Sequence, residues 1–341
     1  MTKVLVTGAT GYIAKHIVLQ LLQAGYEVCG SVRSLARAQE VMDAVRPHLE
    51  PTFELDQHLS FVELDLTVDA GWDDAMSGID VLLHTASPFP MSPPKQEDDL
   101  IRPAVDGTLR ALKAAQSAGV RRVVLTSSTA SVIYRALPLQ GEVFDESHWT
   151  DVDYPTCSPY AKSKTLAEQA AWDFVDNHAP EMQLTTINPG FVLGPPLDDN
   201  FGTSMKTIKR LLSGKDPALP QVGFASVDVT DVAAAHVGAI DNLETHGCRI
   251  LVVERFMWFA DIAHAIGNAF PDRKIVTRLA PNWLIRFLGL FDQQIRTISP
   301  LLGQKFGVSN GRAKDLLALN FKDTRNSVVE SARYLIDHKL V

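Results

Sequence analysis

The sequence predicts an α/β fold, a doubly wound parallel sheet followed by a smaller, mostly helical C-terminal cap. Short apolar runs of strand length alternate with segments of helical spacing through the first half of the chain, the order that builds a parallel sheet with helices on both faces. The runs are continuously apolar rather than alternating, as strands buried on both faces are. After Pro189 the alternation stops, with breaks at Pro195-Pro196 and from Pro217 to Pro220.

Lys3 to Thr7 reads as the first strand. Ile13 to Ala24 places Ile13, Ile17, Leu21 and Leu22 on one helical face and stops at Gly25. Tyr26 to Val32 is a second strand, followed by a helix near Leu35 to Val45 and a polar loop over 47–59. Phe61 to Leu64 and Val81 to Leu83 are further buried strands. Asp98 to Ala118 is helical and ends at Gly119, where a left-handed cap is expected. Val123 to Thr126, a helix from Tyr160 to Asn177 and a strand from Leu184 to Ile187 complete the alternation. Right-handed crossovers wind these elements into one sheet.

The chain has 341 residues, 32 Lys plus Arg against 40 Asp plus Glu, and a formal charge of −8. Apolar residues make up 46% and charged residues 21%, the profile of a globular protein with a sizeable core. The acidic balance argues against nucleic acid or an anionic membrane as main partner. Cys29, Cys157 and Cys248 lie far apart and show neither metal-ligand spacing nor a disulfide framework. No structural metal is expected, and a reducing, cytoplasmic setting is the default. Met1 to Lys3 runs straight into the first strand, too short for a signal peptide, and no apolar run has the length of a membrane span.

Thr7-Gly8-Ala9-Thr10-Gly11-Tyr12-Ile13-Ala14 is a G-x-x-G-x-x-A turn between the first strand and first helix. Gly8 and Gly11 let the backbone approach a pyrophosphate, and the free amides of the next helix face its charge. Thr10, Tyr12 and Ile13 share that turn. The context marks a dinucleotide site. An NAD site usually ends its second strand in an acid. Here the strand runs into Arg33, 22 positions after Gly11, with Arg37 one turn on. A guanidinium there can hold a 2′-phosphate, which favours NADPH/NADP. Asp65 and Leu66 follow the third strand, where an adenine can be read.

Tyr160-Ala161-Lys162-Ser163-Lys164 puts Tyr160 and Lys164 on one helix face. A nearby ammonium is expected to lower the phenol's pKa, fitting it to pass a proton to a carbonyl oxygen. Thr126-Ser127-Ser128 follows a buried strand, so Ser128 emerges at its carboxyl end and can hold the substrate carbonyl.

The glycine turn, the strand-end serine and the Y-x-x-x-K pair together resemble the short-chain dehydrogenase/reductase family, in its extended branch. Val6 to Ala14, Ser31 to Ser34, His84 to Phe89, Gly107 to Leu109, Leu125 to Ser128, Tyr160 to Lys164 and Asn188 to Gly190 look like dihydroflavonol reductases and related NADPH-dependent aldehyde and ketone reductases. The resemblance runs to about residue 240. It implies a Rossmann-type domain over 1–189 with a return of the chain near 224–252, and a substrate-binding cap within 190–341. It assigns catalysis to Ser128, Tyr160 and Lys164. It places Thr85, Ala86 and Ser87 beside the nicotinamide ribose, Pro189, Gly190 and Val192 at the carboxamide, and Ser204 at the phosphates. Plant members carry a second basic residue seven positions after the strand-end arginine; here that position is Glu40.

Phe89 is the expected substrate contact, with Phe191, Phe224, Trp258 and Trp283 as further apolar candidates. His84 and His236 read as packing residues. The leading function is an NADPH-dependent carbonyl reductase acting on hydrophobic aldehydes or ketones, as monomer or homodimer. Alternatives are an NAD-dependent epimerase, a hydroxysteroid dehydrogenase, or a non-catalytic NADP sensor. Arg33 in place of an acid disfavours the first, and the intact Ser128, Tyr160 and Lys164 set disfavours the last.

Overall fold

The computed structural model describes residues 1–88, 96–136, 143–291 and 299–341. Seven strands form the main sheet: β1 (Lys3–Thr7), β2 (Glu27–Val32), β3 (Leu59–Glu63), β4 (Val81–His84), β5 (Arg122–Thr126), β6 (Gln183–Pro189) and β9 (Cys248–Val252). Their order is β3-β2-β1-β4-β5-β6-β9, and every neighbouring pair is parallel. The order reverses between β1 and β4, where Thr7 pairs with His84. A crevice opens at the carboxyl ends of strands at such a switch point.

Side chains of the strands alternate between two cores. Val4, Val6, Leu83 and Val124 pack on one face, with helices α1 (Tyr12–Gln23), α2 (Ala38–Val45), α7 (Thr203–Ser213), α8 (Val229–Asp241), α9 (Phe259–Ala269) and α12 (Thr324–Asp337). Leu5, Leu82, Val123 and Leu125 pack on the other, against α4 (Trp72–Met76), α5 (Asp98–Ser117) and α6 (Pro159–His178). Both faces are thus dry, which is why the strand sequences are apolar throughout. The short helices α3 (Leu55–His58), α10 (Asn282–Leu288) and α11 (Gly311–Leu317) complete the set described.

Two features depart from the sequence expectation. The polar stretch 47–59 holds α3 and the first residue of β3, and Trp72–Met76 is a short helix the apolar spacing did not show. The C-terminal part is not simply helical. Strands β7 (Phe191–Leu193), β8 (Gly223–Asp228) and β10 (Arg255–Trp258) form a second sheet of order β10-β8-β7. The expected return of the chain is the α8–β9 segment, in which α8 packs on α1 and β9 joins the main sheet beside β6.

Candidate active site

Two helix N-termini meet one cavity of about 510 Å³. Helix α1 begins after Gly11 and α7 after Gly202, and both glycines line the cavity. The free amides of both helices have no side-chain partner from their caps and no acid within their own first turns. Gly8 has φ +68°, and a Cβ there would lie 3.1 Å from the Ala86 Cα, so the turn needs glycine both for its conformation and for its approach to Ala86. Uncapped amides on a tight glycine turn suit the pyrophosphate of a dinucleotide.

The other end of the cavity is built by β5 and α6. The Ser127 amide donates to Ile187 O at 2.8 Å, and Ser128 Oγ accepts from the Ala130 amide at 3.1 Å, which fixes the turn after β5. Helix α6 starts where Ser158 Oγ accepts from the Ala161 amide at 3.1 Å, with Pro159 in the first turn. That start puts Tyr160 opposite Ser128, and the two hydroxyls are hydrogen-bonded. Lys164, one turn on, donates from Nζ to Thr126 O at 3.3 Å. All three side chains line the cavity.

Burial pushes the Tyr160 phenol above its ordinary range, and the Ser128 hydrogen bond only partly opposes it. The expected lowering by Lys164 is not among the causes of this shift: desolvation of the phenolate leads, and the Ser128 hydrogen bond is what opposes it. Burial also lowers Lys164 to about 8, with Glu168 acting in the other direction. At neutral pH the phenol therefore keeps a proton to give, and Lys164 is an ammonium.

Beyond Tyr160 the wall is mainly apolar. Phe191 and Phe224 stack with centroids 4.6 Å apart, and Ile133, Leu301 and Phe306 also line the cavity, as do Tyr134 and Tyr154.

Comparison with known proteins bears directly on this arrangement. The family described as NAD dependent epimerase/dehydratase matches residues 4–253. The chain belongs to this NAD dependent epimerase/dehydratase family. It is 36% identical over 281 residues to cinnamoyl-CoA reductase CAD2 of Medicago truncatula, covering 81% of this chain and 83% of that protein. It is 33% identical over 288 residues to the NADPH-dependent methylglyoxal reductase GRE2 of Saccharomyces cerevisiae, covering 80% and 83%. The crystal structure of yeast methylglyoxal/isovaleraldehyde reductase Gre2 complexed with NADPH superposes with a TM-score of 0.81 at 28% identity, covering all of both chains.

On the epimerase/dehydratase scaffold most residues expected to hold the cofactor line one cavity. Gly8, Gly11, Tyr12, Ile13, Thr85, Ser87, Pro189, Gly190, Val192 and Ser204 line the cavity, and Ala86 backs Gly8. The Tyr12 hydroxyl is committed elsewhere, donating to Gly194 O at 2.7 Å, so Tyr12 has its backbone left to offer. The Thr10 carbonyl accepts from Asn200 Nδ2 at 3.0 Å. Arg33, Asp65 and Leu66 lie outside the lining of this cavity, beyond β2 and β3. Arg33 is exposed and makes no hydrogen bond or ion pair among the described residues. Asp65 Oδ1 accepts from the Thr67 amide and hydroxyl at 2.7 and 2.6 Å, which together with the Arg33 charge holds the carboxyl low. Leu66 packs on Gly107 of α5.

Arg37 does not stand free beside Arg33. Its Nε and Nη2 grip Glu40 Oε2 at 3.0 and 2.7 Å. Glu40 also accepts from Lys15 Nζ at 2.8 Å and Asn200 Nδ2 at 2.9 Å, and the buried Lys15 pairs with Asp198 as well. Glu40 thus fastens α2 to α1 and to the segment crossing the glycine turn. Sequence reasoning missed Lys15 and Asp198, which are 183 positions apart. It also missed Tyr134, Tyr154 and Phe306; Tyr154 had one signal, its place six positions before Tyr160.

Phe89 lies outside the described residues. Trp258 and Trp283 do not line the cavity, and Trp283 is 69% exposed. His84 Nδ1 is 2.9 Å from Thr7 Oγ1, and burial pushes it down to about 3. His236 spans Thr126 Oγ1 and Val232 O at 2.7 and 2.8 Å and falls to about 4. Both are neutral pins between elements.

Proposed function

We propose that this chain is an NADPH-dependent reductase that converts an aldehyde or ketone bearing an apolar group to the alcohol. The observation that carries this reading is one continuous cavity with uncapped helix amides at one end and the hydrogen-bonded Ser128–Tyr160 pair at the other. The NADPH-dependent methylglyoxal reductase among the named relatives supports the same chemistry, and the cinnamoyl-CoA reductase supports reduction at an acyl carbonyl more broadly.

NADPH, when bound, supplies the hydride. The amides at the starts of α1 and α7 would hold its pyrophosphate, and Arg33 would take the 2′-phosphate. Ser128 donates a hydrogen bond to the substrate carbonyl and fixes it beside Tyr160. Tyr160 gives its proton to the oxygen as negative charge grows there. Its raised pKa suits an acid, since the proton is present across the neutral range. Lys164 holds a positive charge one helical turn from the phenol, where it stabilises the tyrosinate left behind and can meet the ribose hydroxyls. Phe191, Phe224 and Phe306 exclude water from the reacting centre and favour apolar substituents.

The test follows NADPH oxidation with a panel of hydrophobic aldehydes and ketones, for the wild type and Tyr160→Phe. The wild type turns over members of the panel. Tyr160→Phe binds NADPH as before and loses roughly 10²- to 10⁴-fold in kcat. Unchanged turnover in Tyr160→Phe would remove the acid assignment, and a wild type that binds NADPH yet reduces nothing would remove the reductase.

A further inference from the structure

Beneath the Ser128–Tyr160 pair lies a buried layer that the proposed chemistry leaves unused. Glu168 sits on α6 one turn beyond Lys164 and two turns beyond Tyr160, with its side chain 0% exposed. Its Oε1 accepts from Arg249 Nε at 2.7 Å and from Thr186 Oγ1 at 3.0 Å. Its Oε2 accepts from Asn188 Nδ2 at 2.8 Å and meets the hydroxyls of Ser127 and Ser131. Ser131 Oγ and Asn188 Nδ2 also lie 2.8 and 3.4 Å from the Ser128 carbonyl. One carboxylate therefore touches the end of β5, the turn after it, β6 and β9, while riding on the helix that carries Tyr160 and Lys164.

Arg249, on β9, completes the clamp. It donates from Nη1 to the carbonyls of Glu146 and His148 at 2.9 and 2.6 Å, and it lies 3.6 Å over the Trp149 ring. Those residues belong to the segment that leads into α6. A buried ion pair is a poor source of net stability, because desolvation offsets its attraction and apolar residues of like volume often do as well. A fully partnered buried network of this kind restricts how the elements it joins can be arranged.

We propose that Glu168, held by Arg249, is a positioning residue that locks the Ser128 turn to the helix face carrying Tyr160 and Lys164. The rate consequences rest on the proposed reductase chemistry; the titration consequence below does not. Lys164 is faced by Glu168 and Tyr160 on α6, by neutral His84 on β4 and, behind Glu168, by Arg249 on β9. Tyr134 faces Tyr160 from the turn after β5. Of these, Glu168 opposes the lowering of Lys164 by burial. Glu168→Gln keeps the shape, removes that charge and leaves Arg249 as a second unpaired cation.

Three variants test the proposal, read by NADPH affinity, kcat, KM, Tm and the titration midpoint of Lys164. The midpoint comes from competitive labelling with acetic anhydride across pH, followed by mass spectrometry, and needs no turnover. In Glu168→Asp the charge stays but the carboxylate is drawn back by one methylene. The midpoint holds, KM and NADPH affinity hold, and kcat falls roughly ten- to a hundredfold. In Glu168→Gln kcat falls similarly and the midpoint moves to lower pH. In the double variant E168M/R249M, Tm returns towards the wild type because both charges leave together, yet kcat stays low. Recovery of kcat along with Tm in the double variant, a wild-type kcat in Glu168→Asp, or an unmoved midpoint in Glu168→Gln would each overturn the proposal. A wild type that reduces no carbonyl compound would sink the reductase reading alone, since the midpoints would still decide on Glu168.

Discussion

Arg33→Ala is the sharpest test of which dinucleotide this site takes. The side chain is exposed, follows β2 directly, and has no hydrogen bond or ion pair among the described residues. Its guanidinium is therefore available to a 2′-phosphate without first breaking another contact. A charge-assisted hydrogen bond contributes about 1.5–3 kcal/mol, and exposure with its screening sets this one near the lower end. A loss of about 1.5–2 kcal/mol corresponds to a roughly 10- to 30-fold weaker NADPH complex. NADH, which has no 2′-phosphate, should bind Arg33→Ala as it binds the wild type. Arg37→Ala is the matched control: its guanidinium is already spent on Glu40, so the ratio of NADPH to NADH affinity should stay put. Calorimetric titration of both cofactors at two salt concentrations measures this, and the NADPH advantage should shrink in the higher salt. Equal losses for both cofactors in Arg33→Ala, or a change in selectivity in Arg37→Ala alone, would refute the assignment.

Two further outcomes follow from the same geometry. Lys164 sits at about 8. Its proton is held below that pH and lost above it, so kcat for reduction should be level below about pH 8 and decline above it, as a pH–rate profile will show. Gly190 and Gly8 should fail differently when changed to alanine. A Cβ at Gly190 would lie 2.1 Å from the Ala225 carbonyl oxygen, so Gly190→Ala should not yield a folded protein by circular dichroism. A Cβ at Gly8 meets Ala86 at 3.1 Å with φ at +68°, so Gly8→Ala should fold, lose about 1–2 kcal/mol of stability and bind NADPH more weakly.

Much of this was legible in the residues, and the limits have a physical pattern. The strands of the main sheet show in sequence because burial on both faces forces uninterrupted apolar runs such as Val123 to Leu125. The return of β9 to that sheet was only partly legible, since Cys248–Val252 carries Arg249 in a position that periodicity treats as polar. Nothing local marks that arginine as buried; its partner Glu168 is 81 positions away. The small sheet of β7, β8 and β10 went unread because its strands are only three to six residues long and are set apart by helices and loops.

The site divides in the same way. Helix geometry alone puts Tyr160 and Lys164 on one face, and a strand followed by glycines and a helix makes an anion-binding turn wherever it occurs. Those features span a few residues each, so the sequence by itself determined them, together with the α/β class. Which side chains then surround them depends on how distant segments cross. The stacking of Phe191 on Phe224, the seat of Phe306, the commitment of Arg37 to Glu40 and the clamp of Arg249 on Glu168 were decided only by the tertiary structure. So was the direction of the Tyr160 shift. Spacing shows that an ammonium is near, while burial, which no spacing encodes, sets the balance between charge and desolvation.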